Sequence, residues 1–87
     1  MTRYSRNSPP VIVKITGTIE RDTTKAILIK NIVKIDDEPA EDVVEDLNKL
    51  KEQWFPLSCI HKIIRTNTKG TDEIHVEEWL CINKGFF

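Results

Sequence analysis

Apolar residues alternate at the start of the patterned chain, with Val11, Val13 and Ile15 on one side of an extended segment and Lys14 on the other. The alternation pauses at Gly17 and resumes at Ile19, which marks the glycine as a candidate bulge or bend within one strand. Arg21-Asp-Thr-Thr reads as a turn. Lys25 to Ile35 (KAILIKNIVKI) reads as a second strand, rich enough in isoleucine to be buried on both faces for part of its length. The two strands are expected to pair as an antiparallel hairpin.

The period then changes. Residues 38–52 place Val43, Val44, Leu47 and Leu50, and then Trp54, on one stripe at helical spacing, with Glu41, Asp42, Glu45 and Asp46 opposite. Pro39 suits a first helical position. The acids Glu38, Glu41 and Asp42 suit the positive end of a helix dipole, and Lys49 and Lys51 its negative end. From Trp54 to Arg65 the pattern is again that of a strand, and Pro56 confines it to an edge or delays its start. Residues 67–71 form a turn, Glu73 to Glu77 a short strand, and Trp79 to Lys84 a last helical turn or two that Gly85 can cap. The expected order is β-β-α-β-β-α. The expected fold is α+β, a curved antiparallel sheet of four to five strands with one amphipathic helix packed on it and a short C-terminal helix. Closure of that sheet into a small OB- or SH3-like barrel is a variant of the same scheme. Residues 1–10 (MTRYSRNSPP) are polar and end in Ser-Pro-Pro, so they read as an arm ahead of one domain over 11–87.

Composition narrows the class. With 87 residues, 39% hydrophobic and 31% charged, the chain has the makeup of a small globule with one modest core. No apolar run approaches the ~18 residues needed to cross a bilayer, and a cytoplasmic protein with free thiols at its two cysteines is the expectation. The net charge of −1 hides a strong segregation. Residues 1–35 hold seven Lys and Arg against two acids, while residues 36–52 hold eight acids against two lysines.

Candidate chemistry is sparse. Cys59, His61, His75 and Cys81 fall within 23 positions, and Cys59-x-His61 on one strand face would give half of a Cys2His2 zinc site. The spacing is that of no standard finger. A Cys59 thiolate with His61 or His75 as base would be the minimal nucleophilic pair. Gly17, Gly70 and Gly85 are too far apart for a phosphate-cradling loop, and Asp36-Asp37-Glu38 runs into Pro39 without an EF-hand glycine. Two binding surfaces remain. Lys14, Arg21, Lys25, Lys30 and Lys34 on the hairpin form a basic set for nucleic acid, for which exposed aromatics (Tyr4, Phe55, Phe86 and Phe87 being available) would add stacking. Glu41, Asp42, Glu45 and Asp46 form an acidic face for a basic protein surface. Phe86-Phe87 offers a further apolar contact.

Thr23-x-Lys25-Ala26-Ile27-Leu28, Trp54-Phe55-Pro56-Leu57-Ser58 and Ile74-x-Val76-x-x-Trp79-Leu80 together resemble a set of small uncharacterised proteins of bacteriophages and prokaryotes. Those chains run T-x-K-A-[IV]-L, W-[IFL]-P-x-S and I-x-V-x-x-W-[LF], and the likeness spans about residues 15–87. The acidic segment before Trp54 departs from their pattern as an insertion, and Cys59 stands where a polar residue is expected. The resemblance implies a compact β-rich domain in a mobile-element context and assigns no catalytic residue. The expected function is that of a non-enzymatic accessory module without cofactor, acting through protein or single-stranded nucleic acid. A zinc-stabilised module and a cysteine-dependent enzyme are the alternatives.

Overall fold

A computed structural model describes residues 11–87; the arm expected over residues 1–10 lies outside them. The chain runs β1 (Ile12–Asp22), β2 (Ala26–Ile35), β3 (Glu38–Pro39), α1 (Ala40–Val43), a 3₁₀ turn (Leu47–Leu50) and β4 (Glu52–Pro56). A second 3₁₀ turn (Leu57–Cys59) leads to β5 (Ile60–Ile64), β6 (Asp72–Glu77) and α2 (Glu78–Asn83). The class is the expected α+β, with six antiparallel strands rather than four or five, in the order β3-β2-β1-β6-β5 and with β4 also beside β2. Among the described residues no helix is long and apolar enough to cross a membrane.

Gly17 bends β1 as the broken alternation implied. Opposite it the register jumps, Thr16 facing Lys34 and Thr18 facing Lys30. A Cβ at Gly17 would lie 2.8 Å from the Lys30 carbonyl oxygen and 3.1 Å from the Ile29 side chain, so only glycine admits β2 this close. Across the irregularity Asn31 sits at φ 50°, in the left-handed region that asparagine tolerates better than most residues. Its N–H donates to the Lys51 carbonyl at 3.0 Å.

The helix expected over 38–52 does not form. Asp36 and Asp37 both adopt positive φ and turn the chain back on itself, so that Glu38–Pro39 pairs with Lys34 and Ile35. Only one helical turn follows before Val44 returns to extended backbone, with its side chain buried. Asp46 then starts a separate turn, its carboxylate accepting the Asn48 N–H at 3.1 Å. Asp, Asn and β-branched valine are weak helix formers, and tertiary packing of Val44 outweighs the helical stripe. The consequence reaches Trp54, which that stripe assigned to the core. In strand phase it is Phe55 that turns inward, 0% exposed, while Trp54 is 42% exposed.

Leu57–Cys59 is therefore a connection between sheet edges. Pro56 ends β4 on an edge, as the missing N–H requires, and Ile60 begins β5 on the other. Four residue steps span at most about 14 Å, whereas a flat sheet would separate strands four places apart by about 19 Å. The sheet must curl to bring these ends together. Without β4–β5 pairing, the curl stays open and no barrel closes.

Val13, Ile15, Ile27, Ile29, Ile74, Val76 and Phe55 line the packed side of the sheet, and Ala40, Val44, Cys59, Leu80, Cys81 and Phe86 cover them. Phe86 is 1% exposed and meets Phe55 edge to face at 6.3 Å between ring centroids. Gly85 brings it there at φ 81°: the Phe86 N–H reaches the Cys81 carbonyl and the Gly85 N–H the Ile82 carbonyl, a Schellman cap. Of the terminal pair only Phe87 is exposed, and α2 enters the core through Leu80 and Cys81 while Trp79 is exposed.

Candidate nucleic-acid interface

Antiparallel partners share a face, so the register assigns the side chains of the uncovered side of the sheet. Lys62, His75 and Lys14 form one cross-strand row, and Ile64, Glu73, Thr16 and Lys34 the next. Thr18, Lys30 and Glu52 make a third, and Arg21, Leu28 and Trp54 a fourth. Four of the five hairpin cations thus come to one face. Lys25 precedes β2 in the turn that Thr23 organises, its N–H and that of Ala26 both reaching the Thr23 hydroxyl. Of the aromatics named for stacking, Phe55 and Phe86 are in the core and Tyr4 lies outside the described residues. Trp54 takes their place on the face.

Two of the cations are held by carboxylates. Lys14 Nζ lies 2.6 Å from Asp37 and Lys30 Nζ 2.8 Å from Glu20. The Asp37 hydrogen bond raises the Lys14 pKa, and the Glu20 hydrogen bond raises that of Lys30, so both amines stay charged. Exposed pairs of this kind are screened by solvent, so a phosphate can readily replace the carboxylate. Lys34, Lys62 and Arg21 are exposed and form no ion pair among the described residues. The acids Glu41, Asp42, Glu45 and Asp46 flank the segment that covers the core and pair with none of these lysines.

One wall of this face is a loop. The buried Asp72 carboxylate accepts the Ile19 N–H at 2.9 Å and the Thr66 N–H at 2.8 Å, tying β1 to the connection between β5 and β6. Burial opposes its ionisation, but those backbone bonds and the Thr66 hydroxyl outweigh it and hold the carboxyl below its ordinary pKa. Thr66 and Thr71 join their hydroxyls, and the Gly70 N–H donates to the Thr18 hydroxyl at 2.9 Å. Asp72 shares the inward parity of Ile74 and Val76, which is the sign in the sequence of a buried acid. Lys62 gives no such sign, because a register shift beside His61 sets its face.

The cysteine and histidine residues do not assemble. Cys59 and Cys81 are buried free thiols, and burial pushes the Cys81 pKa up to about 12, which keeps it a protonated thiol at neutral pH. Cys59 lies in a 3₁₀ turn rather than a strand, so the shared face expected for Cys59-x-His61 is lost. His61 instead bonds Glu77 at 3.0 Å, and the Trp79 indole donates to the same carboxylate at 2.9 Å. The indole and then the imidazole hold the Glu77 carboxyl below its ordinary pKa. His75 lies between the two lysines of its row; among the described residues its buried Nε2 has no hydrogen-bond partner, the Glu73 carboxylate standing 3.6 Å away. No group of three or more His, Cys, Asp or Glu with metal-binding geometry occurs among the described residues. Comparison of the chain with protein-family models, curated proteins and solved structures finds no match.

Proposed function

We propose that this chain is a non-enzymatic binding module that holds a single-stranded nucleic acid along the uncovered face of its sheet. The observation that supports the reading most directly is the convergence of Lys14, Lys30, Lys34, Lys62 and Arg21 on one face with an exposed indole. Cations tracking a backbone beside an aromatic platform are the means by which single strands are bound without strong sequence preference. Acids remain on the face, notably Glu73 and Glu52, so affinity is expected to be moderate and salt-sensitive. The resemblance to small phage proteins fits such an accessory role in a mobile-element context.

The test is binding of a fluorescein-labelled oligothymidylate of about 15 nucleotides, followed by anisotropy across a salt series. The triple variant Lys14→Ala, Lys34→Ala, Lys62→Ala should weaken binding and lower the salt slope by about two, at about 0.7 for each phosphate no longer neutralised. No binding at low salt, or an unchanged slope, would sink the proposal. A protein contact is a second reading, favoured by an apolar groove of about 350 Å³ that Ile32, Val33, Pro39, Leu47 and Leu50 line beside Glu41. Its occupant by charge complementarity is a basic amphipathic peptide. Leu47→Asp should abolish capture of such a peptide and leave the oligonucleotide bound.

A further inference from the structure

The sheet irregularity that Gly17 permits also makes a depression on the proposed binding face. Thr18, Ile19 and Glu20 of β1, Lys30, Asn31 and Val33 of β2, and Lys69 and Gly70 of the loop line an open depression of about 610 Å³. That volume lies within the range of sites for small organic ligands. Its lining combines two amines, a hydroxyl, a carboxamide and the Glu20 carboxylate, which pairs with Lys30, with the exposed apolar side chain of Val33.

The depression is built rather than incidental. Three residues of β2, Asn31 to Val33, stand between Lys30 and Lys34 where β1 spends only Gly17, so the strand bulges away from its partner. Asn31 is held at φ 50° with its N–H committed to Lys51, which fixes its Cα at the rim. A non-glycine residue at positive φ is a local cost that surrounding structure must support. The opposite wall is fixed by Asp72 and by the Thr66 and Thr71 hydroxyls, and the Gly70 to Thr18 bond seats it on β1. Both walls are set before any ligand arrives.

We infer that this depression receives one nucleotide of the bound strand, with its phosphate displacing Glu20 from Lys30 and reached also by Lys69, its base against the exposed Val33, and the Asn31 carboxamide reading the base edge. An unstacked base presents hydrogen-bonding edges that a single amide side chain can match with a donor and an acceptor together. The inference rests on the proposed strand binding and adds base preference to it. Lys30 is shared by the depression and the face, so the strand runs through the depression. Lys69 extends the basic track onto the loop, beyond the hairpin cations.

The experiment compares oligothymidylate, oligoadenylate and oligocytidylate on the wild type and on Asn31→Gly and Lys69→Ala. Glycine accepts φ 50° more easily than asparagine, so Asn31→Gly keeps the backbone and removes only the amide. The wild type should prefer one homopolymer by about tenfold, and Asn31→Gly should reduce that preference to within about twofold. Lys69→Ala should weaken all three alike. Equal affinities in the wild type, or a preference that survives Asn31→Gly, overturns base reading while leaving strand binding standing. Absence of all strand binding defeats the proposed function itself. The depression is then judged by NMR titration of the full chain with nucleoside monophosphates. Amide shifts centred on Thr18, Asn31 and Gly70 would uphold a nucleotide site, and shifts elsewhere or none would refute it.

Discussion

Trp54 and Phe55 are adjacent in β4, yet they belong to two different physical regimes. Phe55 is sealed between β2 and Phe86, with the Lys84 ammonium 5.2 Å from its ring centroid. Trp54 faces the other way, across from Leu28 among lysines and glutamates. One side of the sheet is apolar, interlocked and covered. The other carries charge in cross-strand rows and is uncovered. The same strand alternation that builds the core therefore also delivers a surface, and the polar half of that alternation is where binding is to be sought.

Phe55→Ala should have the largest effect on stability, about 3–5 kcal/mol, since it opens a cavity against Phe86. Urea unfolding measures it, and a cost below about 1 kcal/mol would contradict a core centred on this ring. Gly17→Ala comes next. Its methyl group meets the Lys30 carbonyl, a backbone atom that cannot rotate away, and overpacking of this sort costs about 1–3 kcal/mol.

Asp72→Asn should cost a similar or smaller amount, about 1–3 kcal/mol, because an amide cannot serve both backbone donors as a carboxylate does. It also carries a pH signature. The folded carboxyl titrates below its unfolded value of about 3.9, so its contribution is fully present above that pH and is lost as pH falls through the folded pKa. Urea midpoints between pH 7 and pH 2 should therefore fall less steeply for Asp72→Asn than for the wild type, and parallel curves would place the acid sensitivity elsewhere. Trp54→Ala should disturb stability least, by under about 1 kcal/mol, yet weaken oligonucleotide binding by about tenfold through the missing stacking surface. If both readouts moved together, the contrast between the faces would collapse.

Much of the architecture is legible in the residues. The hairpin, the kink at Gly17, the edge position of Pro56 and the cap at Gly85 each follow from a local constraint, a missing side chain or a missing N–H. The helix expected over 38–52 fails because Val43, Val44, Leu47 and Leu50 fit a helical stripe as well as they fit two separate turns. Asp36-Asp37 also lacks the glycine that usually announces a tight hairpin turn. A helical phase there carries Trp54 into the core and leaves the face without its aromatic. The basic set is more legible, since strand parity places Lys14, Lys30 and Lys34 together once the register is known.

Residue order alone fixes the class of fold, the alternation that separates an apolar side from a charged one, and the segregation of cations from acids along the chain. These depend on residue type and on neighbours a few positions away. Which residues come together is a matter for the folded chain: Lys62 and Lys14 on either side of His75, Asp72 beneath the loop, Asn31 facing Gly70 across a depression. Such contacts depend on register, and a single bulge reverses the face of every residue that follows it. Alternation records the period of a strand but not the place where one extra residue shifts its phase, and here those shifts make the surface.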